Sequence, residues 1–76
     1  MAKYFFDLVR RDHAQYDYQG RLLPAPEQAL QLAELMALDL EMKDDGAWSG
    51  WSVAVRSAHG QQYFSVPVRE PETIVA

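Results

Sequence analysis

Residues 26–43, PEQALQLAELMALDLEMK, predict the central helix of the fold, because their apolar side chains recur with helical spacing. Alanine, leucine, glutamate, glutamine and methionine dominate it, and all of them favour helices. Pro26 suits the first turn, where its missing N–H has no intrahelical partner. Gly46, which follows two aspartates, suits a left-handed C-cap. The sequence therefore predicts one helix that begins near Pro26 and ends before Gly46.

This helix carries apolar residues on two faces. At about 100° per residue, one broad arc would pack on a sheet, and it contains Ala29, Leu30, Leu32, Ala33, Met36, Ala37 and Leu40. Leu35, Leu38 and Met42 lie nearly opposite, where a helix on a sheet should face water. Either a loop or the C-terminal tail covers them, or they are simply exposed, or they form a subunit interface. We favour the interface, because a chain this small gains stability from a second subunit.

The N-terminal segment predicts a hairpin. In KYFFDLVR, residues 3–10, Tyr4, Phe6 and Leu8 alternate with Phe5 and Asp7. The first set should meet the helix, and the second set should lie on the other face of the sheet. RDHAQ, residues 11–15, then predicts a turn, and YDYQG, residues 16–20, predicts a second strand.

A second hairpin follows the helix. WSGWSVAVRS, residues 48–57, and QYFSVPV, residues 62–68, alternate as strands around a turn at Gly60. Pro67 cannot donate to a strand ladder, so the last strand should lie at an edge or stop there. The expected fold is α+β in the order ββαββ, with one helix packed on a four-stranded, mainly antiparallel sheet. We expect a single domain over 1–76, with an ordered core at about 3–68 and a loose tail at 69–76.

Composition limits the classes of function. The 76 residues include no cysteine, which excludes disulfides and thiolate metal sites. The formal net charge is -4, and the seven lysines and arginines are spread along the chain, with one adjacent pair at Arg10 and Arg11. This charge pattern argues against a general nucleic-acid binder. Because no long apolar segment or signal-peptide pattern is present, we expect a soluble, cytoplasmic protein with no membrane contact.

The sequence contains no group of residues in a spacing that is typical of a catalytic site. Asp7, Asp12, Asp17 and His13 contain metal-binding groups, but Asp12 and His13 fall in the predicted turn, away from the other two. His59 also falls in a turn, and no serine stands in a nucleophile pattern. The sequence predicts no catalytic residue, no cofactor and no metal, and therefore no enzyme.

The open face of the sheet offers a candidate contact surface. Phe5 should lie there, bordered by Arg10 and Arg11, and exposed aromatic residues beside cations can stack on nucleic-acid bases. The alternative reading is that these aromatic residues form cross-strand pairs, and it is the stronger one.

Several motifs together resemble a known family. They are YFFDL at residues 4–8, an Asp-x-x-Gly-x-x-Leu stretch, an alanine-rich helix and a final hairpin that a tryptophan begins. The matching residues are Tyr4, Phe5, Phe6, Asp17, Gly20, Leu23, Ala29, Ala33, Trp51 and Gly60. The chain resembles short proteins of rhizobia and other alpha-proteobacteria that share a domain of unknown function. That resemblance implies a bacterial protein and no assigned active site.

A looser likeness is to HicB-like antitoxin domains, through Gly20, Pro24 and the helix start PEQALQLA. It implies a role in neutralising a toxin protein. The function that we predict is a small, non-enzymatic protein-interaction module that forms a homodimer or binds another protein. The alternatives are nucleic-acid binding on the open sheet face and a HicB-like toxin-neutralising role.

Overall fold

A computed structural model describes residues 1–70, apart from the side chain of Asp44. Its elements are β1 (Ala2–Arg10), β2 (His13–Gln15), β3 (Arg21–Leu23), α1 (Pro26–Glu41), a 3-10 helix (Asp44–Gly46), β4 (Ser52–Ser57) and β5 (Gln62–Pro67). The predicted α+β class is confirmed. Within residues 1–70 the sheet has five strands, not the four predicted. Most of the tail predicted at 69–76 lies outside the described residues.

The antiparallel sheet is built around β1 and β4. On one side β4 pairs with β5, and on the other side β1 pairs with both β2 and β3, which lie end to end along the same edge. Phe6 lies opposite Val55, and Leu8 lies opposite Val53. As Pro67 predicted, β5 lies at an edge of the sheet.

The predicted second strand at residues 16–20 is wrong, because these residues interrupt the edge. Tyr4 pairs with Arg21 and Leu8 pairs with Gln15, so residues 5–7 of β1 face the five residues 16–20. The side chain of Asp17 accepts the Phe6 N–H at 3.2 Å in place of a strand carbonyl. The alternation of Tyr16 and Tyr18 with Asp17 favoured a strand here. Instead, the Asp17 side chain forms hydrogen bonds with backbone N–H groups, and these replace the bonds of a strand ladder.

The core lies between α1 and the sheet. Its sheet side contains Tyr4, Phe6, Val53 and Val55, and its helix side contains the buried residues Ala29, Ala33, Ala37 and Leu40. Ala29 and Ala33 have no exposed surface, and their small side chains let the helix lie close to the strands. The sheet-facing arc predicted from helical spacing is therefore confirmed except at Leu30, which is half-buried and lies outside this core.

Candidate interaction surface

A groove of about 580 Å³ runs between α1 and β5. Leu35 and Leu38 line its helix wall, and Val66 and Pro67 line its strand wall. Leu35 and Leu38 are three residues apart and therefore share one face of the helix. Leu35 is 63% exposed and Leu38 is 52% exposed. We call this feature the α1–β5 groove.

The structure brings together two of the three residues predicted as an interface. Leu35 and Leu38 lie side by side in the α1–β5 groove, whereas Met42 is the C-cap residue just beyond the end of α1. Met42 is 79% exposed and does not line the groove. The role of all three as an interface stays a prediction, and the groove adds a strand wall to it.

Charged groups of both signs border the α1–β5 groove. Glu34 and Glu41 extend from the helix, and Arg69 follows β5. When two copies of such a surface meet, acidic groups of one copy can contact basic groups of the other, and not only groups of the same sign. The rim therefore does not exclude a partner of the same net charge.

The outer edge of β5 presents free backbone groups. Val68 donates its N–H to the carbonyl of Trp51 at 2.8 Å, which shows that this residue is turned toward β4. Because bonding alternates along an antiparallel pair, Ser65 directs its N–H and its carbonyl away from β4. Within residues 1–70 no strand pairs with this edge.

The two edges of the sheet differ in how well they are protected from pairing with another chain. Short strands, charged side chains and breaks are the usual devices that stop a sheet edge from pairing with another chain. The edge formed by β2 and β3 has strands of only three residues each, and residues 16–20 separate them. In contrast, β5 is six residues long and carries no charged side chain, and its protection is limited to Pro67 at one end and a register shift at the other. The edge of β5 is therefore the one suited to pairing.

A buried ion pair anchors the opposite face of the sheet. Asp7 is only 3% exposed, and Arg56 Nε donates to its Oδ2 at 2.6 Å. The guanidinium carbon of Arg56 also lies 4.5 Å from the centre of the Phe5 ring and 5.9 Å from that of Tyr16. The second amino group of this guanidinium donates to the Asp17 carbonyl at 3.0 Å. Arg56 is thus held by an ion pair, a backbone hydrogen bond and aromatic stacking.

Asp17 holds the interrupted edge in place. Its N–H donates to Asp7 Oδ1 at 2.8 Å, and its carboxylate accepts the N–H groups of Gln19 at 3.0 Å, Gly20 at 3.1 Å and Phe6 at 3.2 Å. Burial tends to raise the pKa of Asp17, but these three hydrogen bonds and the charge of Arg56 outweigh it and lower the pKa. The carboxylate therefore acts as a fixed acceptor for the backbone.

The structure does not bring Phe5, Arg10 and Arg11 together on one open surface. Phe5 is half-buried beneath Arg56, and Arg10 stacks on the Trp51 ring at 5.6 Å, on the helix side of the sheet. Arg11 lies in the turn after β1, with a positive φ of 41°. The proposed contact of these three residues with nucleic acid stays a prediction.

Charges near Arg11 are mixed. This residue lines a shallow cavity of about 370 Å³ together with Asp7, Asp12, His13 and Arg56. The His13 Nε2 atom lies 3.8 Å from Asp12 Oδ1. A phosphate ligand requires a net positive surface. The carboxylates of Asp7 and Asp12 therefore weaken the case for nucleic-acid binding at this cavity.

Sequence reasoning missed Arg56 as the partner of Asp7 and missed Val66 and Pro67 as the second wall of the groove. One signal for the ion pair was available, since an aspartate within an apolar strand needs a charged or hydrogen-bonding partner when it is buried. The strand register that identifies the partner is not visible in the sequence. The groove wall likewise depends on where the helix lies over the sheet.

Among residues 1–70, no helix has both the length and the apolar character needed to cross a bilayer.

Comparisons with known proteins identify the family. No curated protein and no solved structure matches the chain significantly. The bacterial origin and the likeness to HicB-like antitoxins stay predictions. The family model described as "Domain of unknown function (DUF6894)" matches residues 3–69, so the chain belongs to this family.

Proposed function

We propose that the protein is a small, non-enzymatic interaction module that self-associates through the α1–β5 groove. The observation that carries this proposal is the pair of exposed leucines, Leu35 and Leu38, which face β5 across an apolar groove beside the free edge of the sheet. Apolar residues clustered beside a strand edge that is only partly protected are typical of association sites. A second copy supplies the same leucines and the same edge. One symmetric interface would therefore cover the leucines and the β5 edge of both copies.

The size of the helix patch limits how much it can contribute. Leu35, Leu38 and Met42 are 63%, 52% and 79% exposed. Met42 lies outside the groove, so only the two leucines count here. Full burial of such a side chain is worth about 1.5–3 kcal/mol, so covering what remains exposed on Leu35 and Leu38 gives about 1.7–3.5 kcal/mol per copy. Two copies together reach about 3.5–7 kcal/mol, against an association cost of about 4–15 kcal/mol. The leucines favour a dimer but need further contacts to make it tight.

Light scattering coupled to size-exclusion chromatography tests the proposal. We expect the wild type to elute with the mass of two chains at tens of micromolar, that is, at about 10–100 µM. Leu35→Glu places a charge in the groove and should give a monomer. Leu22→Glu is the matched control, because Leu22 is also 63% exposed but lies in β3 at the other edge of the sheet.

Two results would contradict self-association. A wild type with the mass of one chain at these concentrations removes it, and leaves another protein, such as a toxin in the HicB-like alternative, as the partner of the groove. Equal effects of Leu35→Glu and Leu22→Glu would show that the added charge acts nonspecifically. The nucleic-acid alternative predicts oligonucleotide binding that weakens steeply with salt, and no binding at low salt excludes it.

A further inference from the structure

The free edge of β5 has the symmetry that self-pairing requires. In a two-fold interface, a residue on the axis must donate to and accept from the same residue of the other copy. Ser65 directs both its N–H and its carbonyl outward, as the bonding alternation from Val68 N–H shows. None of the six residues of β5 is charged, so like charges do not meet when two of these strands align.

We propose that two copies join by antiparallel pairing of β5 with β5, centred on Ser65, so that one sheet runs through both copies. This inference rests on the proposed self-association and specifies its geometry. The side chain of Ser65 lies on the face of the sheet away from α1, since Ser65 is paired with Ala54 and Ala54 with Asp7. Phe64 and Val66 flank it on the helix face and would meet Val66 and Phe64 of the other copy.

Pro67 limits the length of this pairing. It has a carbonyl but no N–H, so it accepts a hydrogen bond at the free edge and donates none. The register shift between Val55 and Arg56 disturbs β5 at its other end. Pairing is therefore restricted to a few residues around Ser65, which explains why an interface here also needs side chains from the helix.

The pairing brings the two helices close enough to touch. Paired strands lie about 4.8 Å apart, so the two-fold axis lies about 2.4 Å outside β5. Because α1 contacts β4 and β5 more than β3, we take its axis to lie between the midline of β4 and β5 and the line of β4, about 5–7 Å from the two-fold axis, which gives about 10–14 Å between the two helices. A helix with its side chains is about 10–12 Å wide. Leu35 and Leu38, on the side of α1 that faces β5, then meet their counterparts across the axis.

Amide hydrogen exchange at Ser65 tests the pairing directly. In the dimer the Ser65 N–H is bonded across the axis, so we expect it to exchange about tenfold or more slowly than in Leu35→Glu, the expected monomer. The Val66 N–H is turned toward β4 in either state and serves as the internal control. Leu22→Glu should keep both the dimer and the protection of Ser65.

Single cysteines give an independent measurement, because the chain has none of its own. A hydrogen-bonded antiparallel pair has its Cα atoms about 5.5 Å apart, within the about 4.4–6.8 Å range of a disulfide. Under mild oxidation Ser65→Cys should therefore form a covalent dimer. Ala14→Cys, exposed in β2 at the other edge, is the matched control and should stay a single chain.

The outcomes separate this inference from the proposed function. A wild-type dimer in which Ser65 exchanges as fast as in Leu35→Glu overturns the strand pairing, and self-association stands. Equal cross-linking of Ser65→Cys and Ala14→Cys also overturns it. A monomeric wild type overturns the proposed function and, with it, the pairing.

Discussion

Removal of Arg56 should destabilise the fold strongly, because it leaves Asp7 buried without its charged partner. Asp7 is 3% exposed, and its Oδ2 lies 2.6 Å from Arg56 Nε. Breaking a buried ion pair typically costs about 3–5 kcal/mol. Since the Arg56 side chain is 25% exposed and water can partly replace it, we expect Arg56→Ala to lower the free energy of unfolding by about 2–4 kcal/mol.

Two comparisons isolate the cause of this loss. Lys43 pairs with Asp39 at 3.1 Å, but their side chains are 55% and 66% exposed, so Lys43→Ala should cost less than about 0.5 kcal/mol. The double variant Asp7→Ala/Arg56→Ala should lose less than the sum of the two single variants, because no buried charge is then left unpaired.

Urea denaturation followed by tryptophan fluorescence measures these differences, since Trp48 and Trp51 pack against the core. A cost below about 1 kcal/mol for Arg56→Ala would show that the pair contributes no more than a surface ion pair. Additive losses in the double variant would show that Asp7 and Arg56 act separately.

Gly20 and Asp17 support further predictions at the interrupted edge. A Cβ at Gly20 would lie 3.1 Å from the Tyr4 carbonyl oxygen at a φ of +73°, whereas Gly60, at +86°, has nothing within 4 Å. In urea titrations Gly60→Ala should therefore destabilise by about 1–2 kcal/mol, and Gly20→Ala by about 1–3 kcal/mol more; equal costs would contradict the crowding. The lowered pKa of Asp17 adds stability that is present above the unfolded value of 3.8 and is lost as pH falls through the folded value. Denaturation curves between about pH 2 and 5 should show a shallower loss for Asp17→Asn than for the wild type, and an unchanged slope would count against this carboxylate.

The sequence predicted the parts of the fold that depend on local periodicity. Helical spacing identified α1 and its buried alanines, and alternation identified β1 and the final hairpin. The edge formed by β2 and β3 was not predictable in this way. Its break depends on the Asp17 carboxylate reaching the Phe6 N–H, a contact between residues that are 11 apart in the chain.

The candidate site likewise has one part that local spacing could predict and another part that it could not. Leu35 and Leu38 were identified from spacing alone, because their exposure follows from the arc that the sheet occupies. Val66 and Pro67 were not, because the strand wall of the α1–β5 groove exists only when the helix is placed over β5. The partner of Asp7 likewise depends on the register of β1 and β4.

The two faces of the sheet have different capacities for binding, and this difference bears on where a partner can dock. On the open face, Arg56 is already bonded to Asp7 and to the Asp17 carbonyl, and it lies over the Phe5 ring. A ligand there must displace contacts that hold β4 to the interrupted edge, which would cost stability. On the helix face, the α1–β5 groove and the free edge of β5 have no such contacts to lose among residues 1–70. Association at the groove therefore gains burial without breaking a hydrogen bond or ion pair within the chain, and this asymmetry favours the groove over the open face as the site of interaction.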